Sequence, residues 1–339
     1  MNGETGVLLS KRFLARFGER FAAAARAAGI TPAVLHLPEE PGASLDPAAC
    51  ARIEIAYLTR DWRFSQGHYR AFGEALAAAP RLKWVHFAST GVDQHPFLPD
   101  LLRRGVRLTS SIGSNGEPVA QTALGGLLML ARGFPAWWRA QRRRAWAPHP
   151  PDALPRELAG QTVLVVGLGV IGSAVARFCR ALGMRVIGVR RRPGRGEEPA
   201  DEVHPPARLT ALLARCDWVV LACTHTPETH HLMNAASLAA LPRGARLINV
   251  SRGGVVEERA LVAALESGHL AGAYLDVFER EPLPADSPLW SLPNVIVSPH
   301  NAQASSGNDA RSAEIFLANL ERFGRGEPLA NEHGQAQHA

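Results

Sequence analysis

Three ionisable side chains, Arg252, Glu281 and His300, each follow shortly after an apolar, strand-like run: LINVS, AYLDVF and VIVSP. In open α/β sheets ligands bind beyond the carboxyl ends of the strands, so three such residues define a candidate site. Arg252 precedes two glycines, a backbone arrangement that lets its guanidinium project as a planar fork for a carboxylate. Glu281 is held before Pro282, with Asp276 earlier in the same run, at the strand end. His300 carries the side chain whose proton moves near neutral pH. Taken singly, each has a plainer reading: a surface arginine, a solvated carboxylate beside a loop proline, a structural histidine. Taken as a set, they offer carboxylate binding and proton transfer, and no metal is implied.

These residues need a scaffold, and Thr162 to Arg192 supplies its centre. Thr162 to Val166 is a mostly β-branched run that reads as a strand buried on both faces. It meets Gly167-Leu168-Gly169-Val170-Ile171-Gly172 without a gap, a GxGxxG turn. Gly167 permits the tight turn, Gly169 lets backbone approach a pyrophosphate, and Gly172 lets the following helix pack closely. Ile171, Ala174, Val175, Phe178 and Leu182 then recur on one helical face, and Arg185 to Val189 reads as a second strand. The helix N-terminus, with free N–H groups and a positive dipole end, favours an anion. Glycine strings alone are common, but strand, turn, helix, Gly183 stop and strand in order imply dinucleotide binding.

The elements around this unit follow the same alternation. With 339 residues the chain exceeds the usual single core, so two domains are expected. From Gly6 to Ser111 the runs GVLLS, AVLHL, RIEIAYLT, KWVHFAS and RLTSS alternate with helical stretches, a five-stranded parallel α/β pattern. The loop Ser89-Thr90-Gly91-Val92-Asp93 follows one of these strands, where backbone N–H groups can cradle a carboxylate; plain connection is the alternative. Glu117 to Arg144 reads as a long helix that Pro135 should kink or break. It suits a core helix bridging the lobes, or a dimer contact using Trp137, Trp138 and Trp146. A Pro-rich loop, APHPPDALP, precedes the glycine-turn strand, and strands and helices alternate again from Leu209 to a closing helix over Ser305 to Phe323. A polar tail from Asn331 reads as disordered.

Composition excludes several classes. The net charge is +6, but all of the 37 basic residues except Lys11 and Lys83 are arginine, scattered through helices. Arg142-Arg143-Arg144 and Arg190-Arg191-Arg192 lack interleaved aromatics, so nucleic-acid binding is not expected. No run is long and apolar enough for a membrane span, and the N-terminus lacks signal-peptide order, so a soluble cytoplasmic protein is expected. Cys50, Cys179, Cys216 and Cys223 show no CxxC spacing and read as free thiols.

The motifs also carry a resemblance. ELAGQTVLVVGLGVIG, THTPETHHLMN, LINVSRGGVVEERALVAALESGHLAGAYLDVFEREPLP and NVIVSPH are similar to the D-isomer-specific 2-hydroxyacid dehydrogenases, a group including glyoxylate/hydroxypyruvate reductases and phosphoglycerate dehydrogenases. The resemblance implies an NAD(P)-dependent enzyme interconverting a small 2-keto acid and its D-2-hydroxy acid, with glyoxylate or hydroxypyruvate reduction favoured. It assigns Arg252 to substrate binding, His300 to acid/base work, Glu281 to orienting and charging that histidine, and Asp276 to the neighbourhood of the nicotinamide amide. Ser89, Thr90 and Gly91 fall where the substrate carboxylate meets backbone amides. Cofactor contacts are implied for Gly167, Gly169, Val170, Ile171, Gly172, Thr224, Thr229, Val250, Ser251 and Asp276. Closure of two lobes would exclude water. The implied architecture is two doubly wound parallel-sheet domains, a Rossmann cofactor domain (116–302) inserted into a flavodoxin-like substrate domain (1–115 and 303–331), with a tail at 332–339. Gln121, Thr224 and Asn301 depart from the usual acid, proline and aliphatic. Formate dehydrogenases share the fold but carry glutamine at the Glu281 position.

Cofactor choice has its own signal. NAD-specific sites place an acid near the end of the second strand, about 20 residues past the glycines. Here that place falls at Arg190, followed by Arg191 and Arg192, and no acid is there. Arginines suit a 2′-phosphate, so NADP(H) is favoured, with NAD(H) possible and arginine bias as the plain alternative. A homodimer is expected. The rival from another class is a non-catalytic corepressor or metabolite sensor on the same fold, since fold alone does not fix function.

Overall fold

The computed structural model describes residues 3–92, 95–192, 196 and 198–333. The chain forms two compact units, Met1–Ser114 with Ser305–Ala339, and Asn115–Ala304.

The first unit runs β1 (Thr5–Leu8), α1 (Lys11–Ala27), β2 (Pro32–Leu35), α2 (Pro47–Cys50), β3 (Ile53–Leu58), α3 (Arg60–Arg63), α4 (Gln66–Ala77), β4 (Trp84–Phe87), α5 (Leu98–Arg103) and β5 (Arg107–Ser110). The second runs α6 (Gly116–Arg132), α7 (Phe134–Arg142), β6 (Thr162–Val166), α8 (Val170–Ala181), β7 (Arg185–Val189), β8 (Glu202–His204), α9 (Leu209–Leu213), β9 (Trp218–Leu221), α10 (Ala235–Ala239), β10 (Ala245–Asn249), α11 (Glu258–Glu266), β11 (Leu270–Leu275) and β12 (Val295–Val297). The chain then returns to the first unit with α12 (Asn308–Gly324) and β13 (Glu332–His333).

In the first unit the sheet order is β13-β5-β4-β3-β1-β2, parallel except for β13. Strands β1, β3, β4 and β5 are mostly buried on both faces, and from Ile55 onward the two-residue period divides the side chains of β3, while Ile53 lies before a register shift against β1. Val7, Ile55 and Tyr57 pack with Phe13 of α1 and Phe316 of α12, while Leu8, Ile53, Ala56 and Leu58 pack on the other face with Phe72 of α4. Ser10 starts α1 as a side-chain cap, its hydroxyl accepting from Phe13 N at 3.0 Å. Between β4, β5 and α12 lies a buried polar chain. His86 Nδ1 meets Thr109 Oγ1 at 2.7 Å, His86 Nε2 meets Ser111 Oγ at 3.0 Å, and Ser312 Oγ joins Ser111 Oγ to the Tyr57 hydroxyl. Burial pushes His86 down to about 3, so the imidazole is neutral.

One expectation is corrected here. Residues 332–333 are not tail but an antiparallel edge strand on β5, fastened by Arg107, which donates to both Glu332 carboxylate oxygens at 2.7 and 2.8 Å. Composition alone hid this, because the partner strand is over two hundred positions away in the chain. Residues 334–339 of the expected tail, and Asp93 of the carboxylate loop, lie outside the described residues.

In the second unit seven parallel strands follow the order β12-β11-β10-β9-β6-β7-β8. The strand order reverses between β6 and β9, which is the switch point where a doubly wound sheet opens a crevice at its carboxyl edge. Val163 and Val165 face α6 and α8, and Leu164 and Val166 face the side packed by α9, α10 and α11. The long helix expected over Glu117 to Arg144 is two helices, and the break is made by Gly133 at φ +77, not by Pro135. Pro135 sits in the first turn of α7, where a missing N–H costs nothing. Within this unit α6 packs closely: a Cβ at Gly126 would lie 2.4 Å from the Tyr274 ring. Trp138 and Trp146 are exposed, and Trp137 partly so.

Candidate active site

The glycine turn builds a cradle. Gly167 takes φ +97, and a Cβ there would lie 2.7 Å from the backbone of Cys223 beyond β9, so only glycine closes the switch point. A Cβ on Gly172 would meet the Gly167 carbonyl oxygen at 1.8 Å. Gly169, by contrast, faces open space, with nothing within 4 Å. Ser173 N makes the bond back to Gly169 O at 2.9 Å, so the N–H groups of Val170, Ile171 and Gly172 precede the helical ladder and remain to be satisfied. Open space before unsatisfied N–H groups at a helix start fits a pyrophosphate.

The neighbouring strand ends complete this edge. After β9, Thr226 N donates to Thr229 Oγ1 at 2.7 Å and Thr229 Oγ1 donates to Thr224 O at 2.8 Å, which closes that loop on itself. After β10, Val250 and Ser251 are buried, and Ser251 Oγ donates to Asn249 Oδ1 at 2.8 Å. Arg190 directly follows β7, as expected, but the absence of an acid there is corrected by the fold. Glu198 returns to this place, and Arg190 Nη1 donates to its Oε1 at 2.6 Å. The acid lies beyond the turn of the chain, so no count along the strand reveals it. Arg191 is exposed.

At the ends of β10, β11 and β12 the three candidate residues come together because those strands are adjacent and parallel. His300 Nδ1 lies 2.6 Å from Glu281 Oε2, and Glu281 Oε1 accepts from Phe278 N at 3.0 Å. Partial burial alone would raise Glu281. The hydrogen bonds from His300 and the Phe278 N–H, with the charges of His300 and Arg252, outweigh it and hold the carboxyl below its usual range. Arg252 is therefore near enough for its charge to act on Glu281. Its guanidinium Nη1 donates to Ser251 O at 2.9 Å, and its own carbonyl accepts from Asn249 Nδ2 at 3.1 Å.

Two residues brace this edge: Asn249, which the sequence reading passed over, and Asp276. Asn249, buried at an apolar strand's end, also accepts from Ser251 N at 3.1 Å and so fixes the turn before Arg252. A polar residue in such a run was the available signal. Asp276 is buried, and its carboxylate accepts from Ser298 Oγ at 2.6 Å, Asn301 N at 2.9 Å and Ala302 N at 3.0 Å. It thus clamps the segment that carries His300, whose backbone is left-handed at φ +49. Asn301 contributes its N–H to that clamp, while Gln121 Nε2 donates to Glu117 Oε1 on α6 at 3.5 Å.

Ser89, Thr90 and Gly91 follow β4 in the first unit. Ser89 O accepts from Ser111 N at 2.9 Å, and its hydroxyl meets His95 Nε2 at 3.3 Å. Among the described residues no helix is long and apolar enough to cross a membrane, and no three His, Cys, Asp or Glu are grouped to hold a metal ion. All four cysteines are free thiols.

A glycine turn that fits a pyrophosphate, with an arginine and a histidine–glutamate pair at the same sheet edge, belongs to an oxidoreductase that works on small hydroxy or keto acids with a nicotinamide cofactor. Residues 124–302 match the family described as D-isomer specific 2-hydroxyacid dehydrogenase, NAD binding domain, and the chain belongs to that family. A glyoxylate reductase of Korarchaeum cryptofilum is 38% identical over 259 residues, 75% of this chain and 76% of its own length. A D-isomer specific 2-hydroxyacid dehydrogenase of Xanthobacter autotrophicus, solved in complex with NADPH and MES, superposes with a TM-score of 0.74 at 35% identity and covers 99% of both chains. The NADPH-dependent glyoxylate/hydroxypyruvate reductase of Sinorhizobium meliloti, solved with NADP and sulfate, gives 0.73 at 30% identity over 99% of this chain and 100% of that one.

Proposed function

We propose that the protein reduces a small 2-keto acid of the glyoxylate or hydroxypyruvate type to its D-2-hydroxy acid, with NADP(H) preferred and NAD(H) accepted. The observation that carries this reading is the 2.6 Å contact of His300 with Glu281 at the edge where Arg252 also stands. A nicotinamide cofactor held at this glycine cradle would supply a hydride for C2 of the keto acid. His300 is committed through Nδ1 to Glu281, so Nε2 is the nitrogen that gives its proton to the oxygen on C2. Glu281 keeps that imidazole oriented. Arg252 binds the carboxylate and the keto oxygen. Gly167, Gly169, Val170, Ile171 and Gly172 hold the pyrophosphate, with Thr224, Thr229, Val250, Ser251 and Asp276 around the nucleotide. The named relatives, glyoxylate and hydroxypyruvate reductases, support the substrate class. The intact Arg252, Glu281 and His300 set favours turnover over a non-catalytic sensor.

Arg190 and Arg191 support the cofactor preference, as does the NADPH or NADP in related structures. Glu198 tempers it, because a carboxylate on Arg190 competes with a 2′-phosphate and can itself accept from ribose hydroxyls. The test is NADPH and NADH oxidation across a panel of 2-keto acids. Turnover of glyoxylate or hydroxypyruvate, faster with NADPH, is expected; no oxidation with any keto acid would overturn the reading. A homodimer built on α6, α7 and their tryptophans, in the cytoplasm, completes the proposal.

A further inference from the structure

Outside the proposed catalytic set, the exit loops of β9, β10 and β11 meet in a second polar cluster. The loop after β9 turns at Thr226 and presents His231 in a left-handed backbone at φ +48. From there it runs beside the chain that follows Arg252. His231 N donates to Gly254 O at 2.8 Å, Met233 N to Val255 O at 3.1 Å, and Glu257 N to Met233 O at 3.0 Å. On its other side the Arg252 loop presses on the exit of β11. A Cβ at Gly253 would lie 1.8 Å from the Phe278 carbonyl carbon and 2.4 Å from Glu279 N. Gly253 thus stands next to Arg252 in the chain and against the segment that leads to Glu281.

One side-chain pair closes this triangle. His231 Nε2 meets Glu279 Oε1 at 2.6 Å, reaching from the β9 loop past the Arg252 loop to the β11 loop. The His231 ring stacks on His230 at 3.9 Å, and His230 Nδ1 lies 3.2 Å from His225 Nε2. Glu279 N donates to Glu258 Oε2 at 3.4 Å, so the glutamate is tied to the start of α11 as well. Both partners are over one-third exposed, at 37% and 36%, so the pair adds little to folding stability. A surface contact of that kind has no evident purpose as ballast. Its position is what distinguishes it: the segments it joins are those that carry Arg252 and Glu281.

We propose that His231 and Glu279 are positioning residues for the reduction, holding the Arg252 and Glu281 loops in register across Gly253. The proposal rests on the catalytic reading of Arg252, Glu281 and His300. Neither residue touches the reacting atoms. If the link breaks, the fork and the base drift relative to one another, and misplacement of about 1 Å at such a site is enough to cost up to about 100-fold.

The test is a set of variants of the full chain, assayed with NADPH and glyoxylate. Glu279→Ala should lower kcat and raise the KM for the keto acid, together reducing kcat/KM by about 10- to 100-fold, while the Kd for NADPH stays within about twofold, because the glycine cradle is untouched. Glu279→Gln keeps an oxygen for the imidazole N–H and should recover most of the loss. His231→Asn tolerates the left-handed backbone but cannot reach Glu279, and should match Glu279→Ala, with the double variant no worse than either single one. Parent-like kcat and KM in Glu279→Ala, or failure of Glu279→Gln to recover, overturns the proposal. So does a loss that tracks a lowered melting temperature and disappears on cooling. Near-native turnover by His300→Ala is a different outcome: it sinks the catalytic reading itself.

Discussion

At the scale of single residues, the decisive pair is His300 with Glu281. Replacing His300 by alanine should lower kcat by about 10² to 10⁴-fold, the usual worth of a positioned acid/base, as steady-state rates with saturating keto acid would show. Arg252→Ala should act mainly on the KM for the keto acid. The sign of the pH effect follows from Glu281, whose carboxyl is held below its usual range despite partial burial. Its stabilising charge is present above the unfolded carboxyl range and is lost as pH falls through the lowered folded value. Separately from that stability effect, Glu281→Gln removes the anion 2.6 Å from His300 Nδ1, so the pH–rate profile should lie to lower pH than the parent's; an unmoved profile would remove Glu281 from its proposed role. Arg190 gives a second residue-scale prediction. Replacing Arg190 and Arg191 with serine should raise the KM for NADPH far more than that for NADH, whereas Glu198→Gln frees Arg190 and should sharpen the NADPH preference. Equal use of both cofactors by the parent would refute the preference. The arginines were legible in the sequence because they directly follow a recognisable strand. Glu198 was not, since its approach depends on how a loop returns.

At the scale of elements, the carboxyl ends of parallel strands bring distant residues together, and the strands were readable as continuous apolar runs. Two of the edge strands, β8 and β13, were not. EVH in β8 and EH in β13 are short and polar, and only their neighbours make them strands. The break between α6 and α7 was placed at the proline, though the left-handed turn at Gly133 makes it. The buried chain through His86 was likewise invisible, because it needs β4, β5 and α12 in register. It has a measurable consequence. Burial holds His86 near 3, below its unfolded value of about 6.5, so the unfolded chain takes up a proton that the folded chain refuses. The first unit's stability is thus complete above that unfolded value and falls as pH drops from about 6.5 towards 3, with a slope of about 1.4 kcal/mol per pH unit from this group. His86→Gln keeps a two-ended polar side chain that does not titrate. Between pH 6 and 4 its urea midpoint, followed by hydrogen exchange of β4 and β5, should depend less steeply on pH than the parent's; parallel dependences would contradict the burial argument.

At the scale of the whole molecule, the chain leaves the first unit after Ser114 and returns at Ser305, so the second unit is an insertion with its own sheet and core. That second unit carries a surface feature its own packing does not explain. Phe134 is 40% exposed, Trp137 36%, Trp138 50% and Trp146 98%, all within or just beyond α7. Exposed large aromatics cost hydration free energy and are enriched where proteins associate. The same stretch holds Arg139, Arg142, Arg143 and Arg144, whose guanidinium groups can donate to acceptors on a partner surface. A second copy meets this need with a symmetric contact, since a two-fold axis sets each patch against its equivalent. Light scattering at micromolar concentration should therefore give twice the chain mass. Trp138→Glu combined with Trp146→Glu should shift the protein towards the single-chain mass while leaving its circular dichroism unchanged, because neither indole belongs to a buried core. A parent protein of single-chain mass would sink the dimer. A double variant that stayed dimeric would move the contact away from α7, leaving the exposed tryptophans to bind something other than a second copy.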